Sequence, residues 1–386
     1  MFKKYIRRRD QLEQMIWISV FTLFFLGIIF LFYAYISEAT KDTSVDVFRE
    51  LGTQIVAFGV GIAVMYGVAQ LRYYVLARHI AVISAISVLA MTLLITPLAI
   101  ARNSAVRWVD LGFTQFQPSE VMKLGIVLFF AFVFTRPSVR EHLSKMLLYS
   151  FGAFSFLAAT AYLQPDYGTV LIVGSAVISM ALVSKLPRMW WVVMFVAGTL
   201  ATTTLFVVAP TYLENRFHVF YNVNFGEVSP TQRYGEAYHT LQNLEAVQTG
   251  GLFGQGLGHV SQNVSLSVPE ITTDSIFALV AAEVGFLGSI FIILCFLFLL
   301  YLFYALADIT KEPFGKCVVV GIATLLAAQF FVNILVVLGF PATGIPLPFF
   351  SRGGSSIVIT LLSVGIVLSV LRQQIIRQDV YRGPLV

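Results

Sequence analysis

The run "SIFALVAAEVGFLGSIFIILCFLFLLYLFYALA", from Ser275 to Ala307, decides the fold class of this chain. It is longer than the roughly 20 apolar residues that cross a lipid bilayer as a helix. It contains one charged side chain, Glu283. Such a run predicts a membrane-spanning helix.

The composition of the whole chain agrees with that interpretation. Of its 386 residues, 58% are hydrophobic and 12% are charged, and the mean hydropathy is +0.84. A soluble domain is nearer about 45–50% apolar and about 25% charged. Because no polar stretch is long enough to form a separate soluble domain, we expect one membrane domain over residues 1–386.

The apolar runs predict an all-α polytopic membrane protein with about ten transmembrane helices. The spans are placed at 14–36, 52–71, 80–101, 119–135, 146–163, 167–184, 189–211, 275–307, 315–339 and 354–371. Lys and Arg concentrate in alternate connections, which predicts that both termini are cytoplasmic and that the long loop at 212–273, between helices 7 and 8, is extracytoplasmic. The net charge of +5 does not indicate nucleic-acid binding, because the basic residues lie in short clusters between spans.

Charged residues inside membrane spans are rare and are often functional. Glu120 and Lys123, in "QPSEVMKLG", are three residues apart and share a helix face, so they can form an ion pair. That pair can hold the bundle together or belong to a functional site. Glu283 is likewise either a capped buried acid or a catalytic one.

Two further acids stand just before apolar runs. Asp166, in "QPDYGT", and Asp274, in "VPEITTDSIF", occupy positions typical of helix N-caps. A functional role for Asp274 gains support from context, because Arg216, Arg233 and Lys123 could gather on the same outer face. Such a group of cations would attract an anionic substrate.

Two glycine-rich connections are the remaining local features. "TGGLFGQGLGHV" carries five glycines between 250 and 258, which favours a tight turn over a phosphate cradle because no P-loop pattern fits. "GFPATGIPLPFFSRGGSS", residues 339–356, cannot form a regular helix and is expected to line a cavity or be buried. Arg352 in this segment is a candidate anion contact. The sequence contains no zinc-ligand spacing and no Gly-x-Ser-x-Gly elbow.

Four of these motifs, in order along nearly the whole chain, resemble the SEDS family (shape, elongation, division and sporulation) of the RodA and FtsW type. They are "RWVDLGFTQFQPSEVMK", "QPDYGT", "GGLFGQGLG" followed by "VPEITTDSIFALVAAEVG", and "TGIPLPFFSRGGSS". The short N-terminus and the motif "RWVDLG" slightly favour the RodA type.

The resemblance implies a peptidoglycan glycosyltransferase that polymerises lipid II during cell wall elongation or division. It would lie in the bacterial cytoplasmic (inner) membrane as a multi-pass protein with its active site outside. The family pattern places the catalytic acid at Asp274, as general base on the acceptor hydroxyl. The residues expected to contact substrate are Lys123, Trp108, Gln117, Ser119, Glu120, Arg216, Glu270 and Arg352.

The resemblance also implies partners. A class B penicillin-binding protein would supply transpeptidation, alongside other proteins of the elongation or division complex, and no nucleic acid is expected. A divalent cation, Mg²⁺ or Mn²⁺, could share the neutralisation of phosphate charge, although the sequence shows no dedicated ligand cage.

Two other functions stay open at this point. A flippase or transporter of lipid-linked precursors would carry its key charges at the membrane midplane and would show an internal repeat. A non-catalytic scaffold of the wall-synthesis complex would tolerate the loss of Asp274.

The chain also departs from the usual family pattern around the predicted site. The family usually has His, Phe and an acid at the positions of Thr272, Ser275 and Ala282, and Tyr at that of Arg352. In the segment "YHTLQNL", the family pattern YQ-x-x-QS is changed at two positions, His239 and Asn243. These departures flank the predicted acid without removing it.

Overall fold

The computed structural model describes most of the chain. The described residues are 2–42, 44–102, 105–110, 115–163, 167–208, 218–223, 225–226, 228, 237–258, 268–340 and 344–380. Three charged residues singled out from the sequence, Asp166, Arg216 and Arg233, lie outside these ranges, so their predicted roles stay predictions.

The described chain is mainly helical. In chain order its helices are α1 Phe2–Lys41, α2 Val47–Gln70, α3 Tyr74–Arg78, α4 Ile80–Thr92, α5 Pro118–Thr135, α6 Pro137–Arg140, α7 Leu143–Leu163, α8 Tyr167–Val183, α9 Arg188–Val208, α10 Tyr238–Gly250, α11 Ile276–Ile309, α12 Pro313–Val337 and α13 Gly354–Val380. Residues 218–223 are also helical.

Six helices are long and apolar enough to cross a membrane, and they lie in α1, α2, α5, α11, α12 and α13. Four shorter apolar helices accompany them, at Ile80–Ile95, Leu143–Leu157, Gly168–Val183 and Arg188–Leu200. These helices match the predicted spans in order along the chain. The prediction of an all-α polytopic membrane fold is confirmed.

The third predicted span, 80–101, is wrong at its C-terminal end. Helix α4 stops at Thr92, a 3₁₀ turn covers Leu93–Ile95, and Thr96 is extended with φ −91° and ψ 163°. The reason is Pro97, which disfavours helical geometry at the preceding residue and cannot donate a helical hydrogen bond.

A small antiparallel sheet follows this break, which the all-α prediction missed. Its strands are β1 Ala99–Arg102, β2 Ala105–Asp110 and β3 Gln115–Phe116, with β2 in the centre. Strand β2 carries Arg107 and Trp108. The sheet therefore fixes where these two side chains stand relative to the start of α5.

The helices pack through small residues as well as through apolar side chains. Helix α2 packs along α13, where a Cβ atom on Gly365 would lie 2.7 Å from the carbonyl oxygen of Met65. Close backbone approach of this kind is typical of membrane helices, which gain stability mainly from van der Waals packing. Helix α1 packs on α11, and α12 packs on α5 and α8.

The segment predicted as a long loop, 212–273, contains the helix α10, which lies along α11. Helix α11 is kinked at Gly285, where φ is +67°. The glycine turn after α10 pairs with the backbone groups at this kink, through bonds from Gln255 N to Ala282 O (3.0 Å) and from Phe286 N to Gly251 O (2.9 Å). Since unpaired backbone groups are costly in a membrane, the kink and the turn depend on each other.

The prediction of a tight turn over 250–258 is confirmed. Gly251, Gly254, Gly256 and Gly258 all have positive φ. A Cβ atom on Gly285 would lie 2.2 Å from the nitrogen of Gly254, so the two backbones touch directly. Glycine is required where chains approach this closely.

Candidate active site

The loop that carries Asp274 spans residues 268–275 and leads into α11. Ile271, Thr272 and Ser275 are buried, whereas Asp274 is half-buried. Helix α11 begins at Ile276, and its N-cap is Ser275. The interpretation of Asp274 as an N-cap is therefore wrong, because the helix starts one residue too late for Asp274 to occupy the capping position.

Glu270 holds the loop in a sharp turn. Its φ is +50°, which is uncommon for a residue with a side chain. Its carbonyl oxygen accepts hydrogen bonds from the backbone nitrogens of Thr273 (3.0 Å) and Ser275 (3.2 Å). Backbone strain of this kind is found most often at functional sites, where the surrounding structure enforces it. Glu270 is exposed and lies on the same loop as Asp274, and its role as a substrate contact stays a prediction.

The environment of Asp274 changes its acidity. Burial raises the pKa of the Asp274 carboxyl, the neighbouring His239 lowers this pKa, and the charge of Glu270 raises it again. The hydroxyl of Thr273 donates a 3.2 Å hydrogen bond to Oδ1. A carboxylate with a raised pKa is a stronger base when ionised, which suits proton abstraction.

The glycine- and proline-rich segment that follows α12 is hydrogen-bonded to this loop. Asn333 on α12 donates from Nδ2 to the carbonyl oxygens of Asp274 (2.9 Å) and Ile345 (2.8 Å). The hydroxyl of Ser351 donates to the carbonyl oxygen of Thr273 and accepts from the nitrogen of Leu347 at 2.7 Å. These bonds fix the backbone of Asp274 to two other parts of the chain.

Arg107 is a site residue that the sequence analysis did not single out. Its Nη1 atom and Oδ2 of Asp274 lie 2.6 Å and 3.8 Å from the point that a Cβ atom on Gly344 would occupy. The guanidinium of Arg107 and the carboxylate of Asp274, the predicted catalytic acid, therefore both lie close to Gly344, whose φ is +65°. The available signal was its place beside Trp108 at the start of the "RWVDLG" motif.

Glu120 and Lys123 form the ion pair that their spacing predicts. Lys123 Nζ donates to Glu120 Oε1 at 2.7 Å, and both side chains are almost fully buried, at 2% and 4% exposure. Gln329 on α12 lies 3.5 Å from the other carboxylate oxygen. The opposite charges of Glu120 and Lys123 thus neutralise each other inside the helix bundle. A role of these residues in substrate binding stays a prediction.

Three predicted contacts surround the start of α5. Trp108 is half-buried on β2, and the backbone nitrogen of Gln117 donates to Ser355 Oγ at 3.2 Å. Gln117 Oε1 and Ser119 Oγ are buried without a hydrogen-bond partner among the described residues. Buried polar atoms are costly unless a ligand or water pairs with them, so these two atoms are suited to meet a polar ligand.

Arg352, the predicted anion contact, has a partner within the chain. Its Nη2 atom lies 2.9 Å from Glu50 Oε2, and its guanidinium stands 5.8 Å from the centre of the Tyr35 ring. This ion pair, with side chains 36% and 28% exposed, leaves less net charge for a substrate than the sequence suggested.

Glu283 is buried with one carboxylate oxygen hydrogen-bonded, while Oε2 has no partner among the described residues, so both alternatives that the sequence left open stay predictions. Its Oε1 atom accepts a 2.9 Å hydrogen bond from the nitrogen of Gly258. The acid therefore ties the glycine turn to α11.

Among the described residues, no group of three or more His, Cys, Asp or Glu is placed to hold a metal ion. Asp274 and Glu270 supply two carboxylates at most. The described residues therefore do not form a dedicated cation site.

A family model described as a cell cycle protein, named for FtsW, RodA and SpoVE, matches residues 13–375. The chain belongs to this family. It is 30% identical to "Probable peptidoglycan glycosyltransferase FtsW" of Geobacter metallireducens, over 96% of this chain and 97% of the relative.

Two solved structures are similar to the chain. One belongs to a peptidoglycan synthase complex that coordinates polymerization and crosslinking; it has a TM-score of 0.73, 26% identity, and covers 93% of this chain and 97% of its own. The other is the rod shape determining protein RodA of Thermus thermophilus, with a TM-score of 0.64, 26% identity, and coverage of 93% and 96%. Relatives of both subtypes are similar, so the preference for the RodA type stays a prediction.

Four of the positions at which the sequence departs from the pattern expected of the family take part in two contacts. Thr272 and Arg352 touch, because the nitrogen of Arg352 donates to the carbonyl oxygen of Thr272 at 2.7 Å. The Thr272 hydroxyl donates to Glu38 Oε1 at 2.8 Å. His239 lies beside Ser275, and these two residues are further departures. Thr272 and Arg352 thus form one contacting pair, and His239 and Ser275 form another.

Proposed function

We propose that this protein is a peptidoglycan glycosyltransferase that polymerises lipid II into glycan strands during cell wall elongation or division. The observation that carries the proposal is the placement of Asp274, the acid of the family motif, just before the N-terminus of α11, where burial raises its pKa. The whole chain, 1–386, would act as a single membrane domain.

In the proposed reaction, the Asp274 carboxylate accepts the proton of the acceptor sugar's 4-hydroxyl. The acceptor oxygen then forms a bond to the anomeric carbon of the donor sugar. The bond from that carbon to undecaprenyl pyrophosphate breaks, and the pyrophosphate leaves with the electron pair. General bases of this kind contribute about 10²–10⁴-fold in rate.

The departing pyrophosphate requires positive charge. We assign this task first to Arg107, because its Nη1 atom and Oδ2 of Asp274 both lie within 4 Å of the position of a Cβ atom on Gly344. Lys123 and Arg352, which form ion pairs with Glu120 and Glu50, stay candidates from the sequence. Arg216 stays a further candidate from the sequence. Gln117, Ser119 and Trp108 would contact the sugars or their substituents.

The proposed site faces the outside of the bacterial cytoplasmic membrane, because the sugar of lipid II is polar while its prenyl chain stays in the bilayer. A half-buried acid at the boundary of a membrane helix is suited to a substrate of that shape. We also propose a class B penicillin-binding protein as partner, because one of the similar structures belongs to a complex that couples polymerization to crosslinking.

The test is glycan polymerisation from purified lipid II, with the protein co-purified with its penicillin-binding partner, whose transpeptidase serine is mutated. Wild type and Asp274→Asn are compared, and Asp308→Asn is the matched control at the opposite, exposed end of α11. We expect long strands from wild type and Asp308→Asn, and none from Asp274→Asn.

Each alternative outcome has a distinct meaning. Equal activity of Asp274→Asn and wild type would move the catalytic role to another residue. If lipid II binds but neither protein forms strands, while vesicle-reconstituted protein moves lipid II between leaflets, the flippase alternative is favoured. Binding without either activity would favour a scaffold.

A further inference from the structure

The C-terminal end of α1 is hydrogen-bonded to the loop that carries Asp274. The hydroxyl of Thr272 donates to Glu38 Oε1 at 2.8 Å, across 234 positions of the chain. Thr272 is 2% exposed and Glu38 is half-buried, so water competes little for this bond. Thr272 stands two residues before Asp274, and a shift of its side chain would move the backbone that carries the carboxylate.

The same residue is held from its other side by α2. The carbonyl oxygen of Thr272 accepts a 2.7 Å hydrogen bond from the backbone nitrogen of Arg352. The guanidinium of Arg352 forms an ion pair with Glu50 of α2, with 2.9 Å between Nη2 and Oε2. Thr272 therefore contacts the carboxylate of Glu38 directly and is linked to that of Glu50 through Arg352.

Helix α2 also holds the backbone on both sides of Arg352. Gln54 is buried one turn after Glu50, and residues four apart lie on the same face of a helix. Its Nε2 atom donates to the carbonyl oxygen of Ser351 at 3.4 Å, and its Oε1 atom accepts from the nitrogen of Gly353 at 3.3 Å. One face of α2 thus fixes the side chain of Arg352 and both flanking peptides.

Contacts of this kind define a geometry more than they stabilise the fold. Replacement of a buried ion pair or hydrogen bond by apolar groups of the same shape is often neutral for stability. The placement of a reacting group is demanding, since a displacement of about 1 Å can lower a rate about 10²-fold. Directional bonds to the residue two positions before Asp274 are therefore suited to place its carboxylate.

We propose that Glu38 and Glu50 are positioning residues that hold the Asp274 carboxylate in its reactive geometry. Glu38 acts through the side chain of Thr272, and Glu50 acts through the guanidinium of Arg352. This inference rests on the proposed function, in which the Asp274 carboxylate accepts the proton of the acceptor hydroxyl.

The experiment measures kcat and KM for polymerisation of lipid II with the same partner complex. Thr272→Val removes the hydroxyl and keeps the shape of the side chain, and we expect kcat to fall at least about tenfold with KM unchanged. Thr272→Ser keeps the hydroxyl and should restore kcat to near wild type. Thr135→Val is the matched control, because the hydroxyl of Thr135 donates to the carbonyl oxygen of Ala131 at the far end of α5.

A double-mutant cycle tests Glu38. Glu38→Ala removes the acceptor of the Thr272 hydroxyl and should lower kcat by a similar factor to Thr272→Val. The double variant should lose little more than either single variant, because both changes remove the same bond. Additive losses in kcat would overturn the role of Glu38.

A further variant separates positioning by Glu50 from substrate contact by Arg352. If Glu50 holds Arg352 in place, Glu50→Gln lowers kcat and leaves KM unchanged. If Arg352 binds the anionic substrate instead, removal of the competing carboxylate lowers KM and leaves kcat unchanged, and that result would overturn the role of Glu50. Glu141→Gln, at an exposed acid between α6 and α7, is the control and should change neither constant.

Hydrogen–deuterium exchange of the amides at 268–275 measures the loop independently of activity. We expect faster exchange there in Thr272→Val than in wild type, with unchanged exchange in α12. Unchanged kcat in Thr272→Val would overturn the inference, and so would an equal loss of kcat in Thr272→Ser. If Thr272→Val does not fold, Glu38→Gln, which keeps an acceptor oxygen, is compared with Glu38→Ala, and equal losses would overturn the inference.

Failure of the proposed function gives a different result. Absence of strands from the wild-type complex would refute the polymerase assignment, whatever the exchange of the loop. Unchanged exchange and unchanged kcat in Thr272→Val, with strands still formed, would refute the positioning role alone. The two failures are therefore distinguishable.

Discussion

Arg352 donates its backbone N–H to the carbonyl oxygen of Thr272 across 2.7 Å, and this bond joins the glycine- and proline-rich segment after α12 to the loop that carries Asp274. The two residues are 80 positions apart in the numbering but adjacent in the fold. Ser351 reinforces the junction by donating to the next carbonyl, that of Thr273. The geometry of Asp274 therefore depends on a segment that follows α12.

The junction predicts a cost for Ser351→Ala. The change removes one donor and one acceptor and leaves the Thr273 carbonyl and the Leu347 N–H without that partner. We expect a loss of about 1–3 kcal/mol in the free energy of unfolding and a lower kcat. Ser175→Ala is the control, since its hydroxyl bonds only within α8; it should change stability by less than about 0.5 kcal/mol. Thermal melting in detergent measures both, and equal melting temperatures would contradict the prediction.

The kink of α11 predicts that Gly285→Ala is harmful. A Cβ atom there would lie 2.2 Å from the Gly254 nitrogen, and the φ of +67° would cost about 1–3 kcal/mol by itself. Because the clash separates the glycine turn from α11, polymerisation should fall along with the melting temperature.

The matched control for this prediction is Gly67→Ala in α2. A Cβ atom on Gly67 meets nothing within 4 Å, and alanine favours a helix by about 0.5–1 kcal/mol over glycine. We expect unchanged or raised stability. Equal behaviour of the two alanine variants would show that the kink does not need glycine.

The buried pair Glu120–Lys123 predicts strong coupling between two substitutions. Lys123→Met leaves an uncompensated buried carboxylate and should cost about 3–5 kcal/mol. Adding Glu120→Gln removes that charge and should restore most of the stability. Unfolding of the single and double variants in detergent measures the coupling, and additive losses would contradict it. Loss of polymerisation in a stable double variant would support a substrate role for Lys123, Glu120 or both, as predicted from the sequence.

The raised pKa of Asp274 predicts a stability difference that depends on pH. A carboxyl whose pKa is higher in the folded state favours folding only while it is protonated, and that stability is lost as pH rises through the folded pKa. Asp274→Asn carries no charge, so it should melt a few degrees higher than wild type at pH 8. The gap should narrow as pH falls toward about 4. A constant gap, or a less stable Asn variant at pH 8, would contradict the prediction.

Much of the fold followed from local composition. Apolar runs long enough to span a bilayer are a direct physical requirement, so the ten spans could be placed without tertiary information. The end of α4 was wrong because hydropathy alone does not register the effect of Pro97 on the residue before it. The sheet that follows was missed for the same reason.

Part of the candidate site was predicted from the sequence. The Glu120–Lys123 ion pair followed from its helical spacing and is confirmed, whereas the catalytic role of Asp274, taken from the family motif, stays a prediction. Arg107, Asn333 and His239 were not assigned to the site, because each reaches it from a different element. Arg352 was predicted to be an anion contact. Its ion pair with Glu50 was not foreseen, because the two residues are far apart in the sequence.

The sequence alone determined that this protein is a bundle of membrane helices with an acid at the start of its longest apolar run. Hydropathy and motif order are local properties, and they need no knowledge of neighbours. The tertiary structure decided what surrounds that acid. The pKa of Asp274 depends on burial, on His239 and on Glu270, and the position of its backbone depends on Asn333. Electrostatic and hydrogen-bond effects act over a few ångströms in space, so only the packing of α10, α12 and the terminal segment could determine them.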